Sequence, residues 1–234
     1  MTVTLRILST HAAMDVLDEV KPGFERVTGV TLSLGYDPGR AVRRALENGG
    51  FCDVAIVPLP VFDALVAQNM MLADSRADVG RCGLGVSVRQ GAPVPDISTP
   101  EALKAAFLAA KSVVRSTDGA SGQHFETLTE RLGITDRMRE KTIMGPSGRV
   151  AELVARGEGE LAVQQIPELI PVEGAHYVGP YPEELQLYTV FSAGITTLSK
   201  HRAEAEAFIA AITTPAMRER FKAAGLEPVP NALP

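Results

Sequence analysis

The 234-residue sequence has no tryptophan, and aromatic residues make up only 5% of it. Stacking platforms for bases or sugars are therefore scarce. Its longest apolar runs are short and interrupted, well under the roughly 20 residues that a membrane-spanning helix needs. Positive charge is in the minority: 23 Lys and Arg against 28 Asp and Glu, a net charge of −5. That argues against a nucleic-acid partner, which is usually met by a basic stripe. Cysteine is limited to Cys52 and Cys82, with no CxxC and no histidine at zinc spacing. Two buried small apolar side chains or a disulfide both fit this pair. There is no P-loop and no GxSxG. The run GRCGLG from Gly80 to Gly85 leads into a strand rather than a helix, so it fails as a dinucleotide turn. The adjacent Glu183 and Glu184 read as solvated carboxylates rather than a glycosidase pair.

What is present is a chain that is 45% hydrophobic, long enough for one or two cores. Residues 5–8 read as a short strand. Met14, Leu17, Val20 and Phe24 then recur at spacings of three and four, predicting a helix over 12–28 with Pro22 inside it and Gly29 as its cap. Val30, Leu32 and Leu34 alternate in a second strand, and Asp37-Pro38-Gly39-Arg40 is turn chemistry. A helix follows over 41–48. DVAIV at 53–57 has the near-continuous apolar character of a parallel strand covered on both faces. Further strands are predicted at 83–88, 112–115 and 161–164, with one long strand at 185–196. Further helices are predicted at 61–69, 100–110, 122–132, 150–156, 167–170, 201–212 and 215–224. This alternation predicts an α/β chain with mostly parallel sheets. The strongest break in composition, GAPVPDIS at 91–98, is a candidate divide between two lobes.

In open α/β sheets, ligands bind beyond the carboxyl ends of the strands. The loops to inspect are therefore 9–13, 35–40, 58–60, 116–122, 145–149 and 164–167. The segment STDGASG at 116–122 follows a strand and opens a helix, where free N–H groups and the helix dipole favour an anion and Ser121 can add a hydroxyl. GPSGR at 145–149 places Ser147, Gly148 and Arg149 in a similar setting; an ordinary turn with a solvated arginine is the plainer reading. Of the four histidines, His11 lies in the first of these loops and His124 just after Gly122, and either can exchange a proton near neutral pH. His176 and His201 read as surface residues.

The segments FERVTGVTLSL, RRALENGGFCDVAIVP, GRCGLGVSVRQGAP, ASGQHFETLTERLGI and AEAFIAAITTPAMRERFKAAGLEP, in this order, resemble the molybdate-binding-protein branch of the type 2 periplasmic solute-binding fold. The resemblance covers nearly the whole chain and extends to aconitate isomerase-like members of the branch. It implies an α/β architecture of two lobes, 1–82 with 193–234 and 83–192. Two crossover hinge strands near 83–89 and 188–196 would let the lobes close on a ligand. In the first lobe it implies ligand contacts from Ser9, Thr10, His11, Ala12, Gly39, Arg40 and Pro58. In the second it implies Thr117, Ser121, Gly122, Ser147, Gly148, Arg149, Gln165 and Tyr188.

Against the family pattern, Ala12 stands where the first ligand serine is expected, Arg40 at or beside the second, and Gln165 in place of a tyrosine. Hydroxyls are lost and a guanidinium is gained. A planar guanidinium fork suits carboxylates. The resemblance therefore implies a small anionic solute, an organic carboxylate in preference to molybdate or tungstate, held between the lobes. An ABC transporter permease would be the partner of an exported form. The alternative is an isomerase of a polycarboxylate with His11 or His124 as base; a ligand-sensing module ranks third. No metal, organic cofactor, nucleic acid or membrane span is implied. The N-terminus reads as a strand rather than a leader, which predicts a cytoplasmic protein, or a periplasmic one where a removed signal preceded it.

Overall fold

A computed structural model of the protein describes residues 3–117, 119–146 and 148–230. The chain begins with β1 (Thr4–Ser9), a 3-10 turn at His11–Ala13, α1 (Met14–Thr28), β2 (Thr31–Tyr36), α2 (Gly39–Glu47), β3 (Val54–Pro58), α3 (Leu59–Ala67) and β4 (Ala77–Cys82). It continues through β5 (Leu84–Arg89), α4 (Pro100–Ala109), β6 (Val113–Ser116), α5 (Ala120–Arg131), α6 (Thr135–Arg139), β7 (Thr142–Gly145), α7 (Ala151–Ala155), β8 (Leu161–Gln165), α8 (Ile166–Leu169) and β9 (Ala175–Pro180). It ends with β10 (Thr189–Ile195), α9 (Arg202–Ile212) and α10 (Pro215–Ala223).

Local chemistry accounts for several boundaries. α4 and α10 both start at a Thr-Pro pair. The Thr99 hydroxyl accepts from Ala102 N at 3.1 Å, and that of Thr214 from Met217 N at 3.3 Å, each relieving an orphan donor of the first turn. Helix α1 runs through Pro22 and stops at Gly29, whose φ is 72°.

The chain folds as two compact units. The first runs up to Arg81 and resumes at Thr189; the second is Cys82–Tyr188. The passage from one to the other lies between β4 and β5, not in the Pro-rich stretch at 91–98, which sits inside the second unit with Ile97 in that unit's core. Each unit holds a five-stranded sheet, ordered β2-β1-β3-β10-β4 in the first and β7-β6-β8-β5-β9 in the second. In each, three parallel strands meet an antiparallel one: β10 against β3, and β5 against β8. The carboxyl ends of each parallel trio therefore bring three loops to one edge.

Strand alternation explains the two-faced burial of the second sheet. Val113, Leu161 and Val163 join a cluster with Leu103, Phe107 and Phe125 on one face. Val114 and Ala162 join Val150, Val154 and Leu169 on the other. Phe107 and Phe125 meet edge to face, with centroids 5.5 Å apart. In the first unit, β3 is fully buried from Val54 to Val57, as its apolar run predicts.

The structure departs from expectation at three strands and one long element. β4, β7 and β9 are edge strands, and β9 has no buried residue. Unlike the edge strand β2, these three sequences, ADVGRC, TIMG and AHYVGP, carry no clear apolar alternation to read. The expected strand over 185–196 is divided: Glu183–Leu185 is a 3-10 turn and β10 begins at Thr189. Between them the Gln186 amide imitates a strand partner. Its Oε1 accepts from Leu84 N at 2.6 Å and its Nε2 donates to Leu84 O at 2.9 Å. Cys52 and Cys82 are both buried and are not joined in a disulfide; burial pushes the Cys52 thiol up to about 12. Among the described residues, no helix is long and apolar enough to cross a membrane.

Candidate functional site

In the first unit, the end of β1 delivers Ser9 and Thr10 to a buried position. Ser9 Oγ donates to Thr10 O at 3.1 Å, and Thr10 N donates to Ile56 O at 3.1 Å, which fixes the loop against β3. Thr10 Oγ1 is buried with no hydrogen-bond partner among the described residues. Gly39 opens α2 beside it. A Cβ on Gly39 would stand 2.5 Å from Pro58 Cδ and 3.7 Å from Thr10 Cγ2, so only glycine permits this approach. Thr10, Gly39 and Pro58, expected from three separate loops, are thus brought together.

Ala41 N and Val42 N both donate to Pro38 O, at 2.7 and 3.0 Å, leaving the N–H groups of Gly39 and Arg40 outside the helix ladder. Arg40 is exposed and makes no ion pair among the described residues. His11 is half-buried at the start of the 3-10 turn, while Ala12 is buried and brings no hydroxyl.

In the second unit, β6 ends at Ser116, whose Oγ lies 3.4 Å from that of Ser121 in the first turn of α5. Both residues are buried. Gly122 N and Gln123 N turn to Gly119 O, so the N–H groups of Ala120 and Ser121 stay outside the ladder. A Cβ on Gly122 would come 2.3 Å from Ser116 O and 2.9 Å from Arg115 Nη1, so the β6–α5 junction closes only on glycine. Arg115 is itself buried. Its Nη1 donates to Ser116 O at 3.2 Å and its Nη2 to Glu126 Oε1 at 2.6 Å. Thr117 donates twice to Gly145 O, from N at 3.2 Å and from Oγ1 at 3.0 Å, and so ties the β6 loop to the end of β7.

At the end of β8, Gln164 and Gln165 are both buried. Gln164 Oε1 accepts from Val150 N at 3.0 Å, while its Nε2 donates to Gly148 O and to the Glu168 carboxylate. Burial pushes the Glu168 carboxyl up to about 8, against a downward pull from Arg149. Gly148 has a φ of 111°.

Two further expected second-unit residues have partners of their own. The Tyr188 hydroxyl donates to Glu183 Oε2 at 2.8 Å on the surface. His124 Nε2 is 2.9 Å from Leu185 O, and its ring lies 6.5 Å from that of Tyr181. Ser147 lies outside the described residues.

Sequence reasoning places Ser116 and Gln164 in loops to inspect without naming either as a contact, and it misses Arg115 and Glu168. The available signal was a polar side chain within an otherwise apolar strand, as at Arg115 and Gln164. The arrangement in each unit offers amide N–H groups and hydroxyls where strands end and helices begin, which is anion-binding chemistry. Among the described residues, no three His, Cys, Asp or Glu side chains are grouped to hold a metal ion.

Comparison with known proteins agrees with this reading of the fold. Residues 5–227 match the family described as bacterial extracellular solute-binding protein. The chain is 34% identical over 233 residues to aconitate isomerase from a Pseudomonas species, covering 97% of this chain and 88% of that protein. In structure it is similar to the Azotobacter vinelandii periplasmic molybdate-binding protein, with a TM-score of 0.79 at 20% identity over 97% of this chain and 100% of that one. It is also similar to the sulfate-binding protein SubI of Mycobacterium tuberculosis H37Rv, with a TM-score of 0.77 at 18% identity over 98% of this chain and 88% of that one. The two five-stranded sheets are thus those of the type 2 periplasmic-binding-protein fold, and the chain belongs to the bacterial extracellular solute-binding protein family.

Proposed function

We propose that the protein binds an organic polycarboxylate of the aconitate class and moves an allylic proton on it. The observation that carries the substrate class is the company of the anion-binding loops: arginine stands beside neutral donors, with Arg40 exposed in the first turn of α2. A guanidinium fork matches a carboxylate, and in the second unit, taken by itself, the N–H groups of Ala120 and Ser121 with the Ser121 hydroxyl are also suited to one. The proton transfer is supported by the near-full-length identity to aconitate isomerase.

In this reaction a base removes a proton from the methylene carbon of the substrate. The electron pair shifts across the adjacent double bond, and a proton is returned at its far carbon. Donors aimed at the neighbouring carboxylate stabilise the charge that builds up between the two steps. His11 takes the role of base in this reading, because it directly follows Ser9 and Thr10. His124 is the second candidate; its Nε2 is engaged by the Leu185 carbonyl. A ligand carrier that delivers the same anion to an ABC transporter permease is the second reading, favoured by the family.

Incubation with trans-aconitate in D₂O, followed by proton NMR, separates the two. Appearance of the cis isomer with deuterium at carbon supports the isomerase. Calorimetric binding with neither change leaves a carrier, and binding of molybdate or tungstate alone overturns the carboxylate reading. His11→Ala is expected to abolish turnover while keeping affinity within a few-fold. Unchanged turnover in both His11→Ala and His124→Ala would show that neither is the base.

A further inference from the structure

We propose that a cavity of the second unit, walled by α5, α6 and the paired strands β6 and β7, binds an α-amino acid with an aromatic side chain. Its lining shares no donor with the anion loops, so the proposal stands apart from the polycarboxylate reading.

The cavity measures about 370 Å³, within the roughly 300–1,000 Å³ of small-molecule sites. Part of its wall is apolar. Phe125 of α5 and Met138 of α6 are buried there, and Met144 of the edge strand β7 lines it while remaining 54% exposed. Thioethers are flexible and polarisable and make favourable contacts with aromatic rings, so two methionines suit a flat aromatic group.

The polar lining divides into groups already engaged and groups left over. Thr129 Oγ1 donates to Glu126 O at 2.8 Å and Thr142 Oγ1 to Met138 O at 2.7 Å, so both hydroxyl protons are spent on the backbone. Arg115 spends Nη1 on Ser116 O and Nη2 on the Glu126 carboxylate. Three lining groups make no hydrogen bond among the described residues: Arg115 Nε, the Glu130 carboxylate and the Thr135 hydroxyl. Arg139 is held only by Asp136 at 3.2 Å, with the two side chains 75% and 92% exposed. An ion pair so open to water is weak, which leaves Arg139 able to turn to a ligand.

A guanidinium edge and a carboxylate left over beside an apolar wall select a zwitterion. A simple aromatic acid would satisfy Arg115 but bring its charge up to Glu126 and Glu130. A simple aromatic amine would satisfy Glu130 but leave Arg115 Nε without an acceptor. An aromatic α-amino acid answers both: its carboxylate takes Arg115 and Arg139, its ammonium takes Glu130, and its ring takes the methionines. The Thr135 hydroxyl can serve either charged group.

L-Phenylalanine is the probe, followed by NMR in protein with methyl-labelled methionine. The Met138 and Met144 methyl resonances should shift saturably, while methionines of the first unit such as Met14 and Met71 stay fixed. Phenylacetate, which lacks the ammonium, phenethylamine, which lacks the carboxylate, and L-alanine, which lacks the ring, should each bind about tenfold more weakly or worse. Glu130 is exposed, so Glu130→Gln leaves the fold intact. That variant should bind L-phenylalanine about tenfold more weakly without losing affinity for phenylacetate. Met138 and Met144 methyls that stay fixed at millimolar L-phenylalanine overturn the proposal. So does equal affinity for phenylacetate or phenethylamine, or an L-phenylalanine affinity unchanged in Glu130→Gln.

Discussion

The two units build the same sheet order, yet they finish their strand ends in opposite ways. In the second unit the polar groups satisfy one another. Thr117 is spent on Gly145 O, Ser116 and Ser121 face each other, and Gln164 joins Gly148, Val150 and Glu168. In the first unit Thr10 Oγ1 is buried with no partner among the described residues. A buried hydroxyl without a partner costs about 1–3 kcal/mol. The polar groups at these strand ends are therefore paired in the second unit, while the first leaves this one hydroxyl unmatched among the described residues.

The contrast can be broken most forcefully at the glycines. Gly122→Ala should cost about 3 kcal/mol in equilibrium unfolding, because its new Cβ meets a backbone oxygen that cannot give way. Gly39→Ala should cost about 1–2 kcal/mol, since its obstacle is the Pro58 ring. Equal stability of the two variants would remove the case for a tighter second unit.

The next largest effect is on the pH dependence of stability. The folded protein holds the Glu168 proton up to about 8, against an ordinary value of 4.5, so the native state binds more protons than the unfolded state between those values. Wild-type stability should accordingly fall, relative to Glu168→Gln, as pH rises from 4.5 to about 8, and the difference should then level off. Denaturation midpoints measured for both proteins across this window check it. Parallel curves would mean that Glu168 is not held neutral.

The smallest effects should differ in sign. Thr117→Val loses one hydrogen bond and should destabilise by about 1 kcal/mol. Thr10→Val removes an unpaired hydroxyl, so the free protein should be unchanged or gain up to about 1 kcal/mol, while affinity for the anion drops. Thermal unfolding of both, with and without trans-aconitate, sharpens the comparison. A destabilised Thr10→Val would show that its hydroxyl already has a partner in solution.

The loops were easier to find than their contents. Gly39 and Gly122 announced themselves as turn residues at strand-to-helix junctions. Their partners did not: nothing local says that Pro58 will lie against Gly39, or Ser116 O against Gly122. The resemblance implies Gln165 as a contact, and it does not show that the neighbouring Gln164 holds Val150, Gly148 and Glu168. Adjacent strand residues point to opposite faces, so one position decides which of them reaches the turn. His124 follows Gly122 by two residues, and nothing local announces that its Nε2 meets Leu185 O and its ring lies near Tyr181.

Local chemistry alone decided the α/β alternation, the Thr-Pro helix starts at Thr99 and Thr214, and the buried run of β3, since each depends on residues within a few positions of one another. Only the tertiary structure decided that β10 returns to lie beside β3, and that Ser192 meets Asp78 at 2.7 Å across 114 residues of chain. It also decided that the edge strands β4, β7 and β9 exist at all. Their pairing comes from backbone groups offered by a neighbouring strand, and backbone groups are the same in every residue but proline.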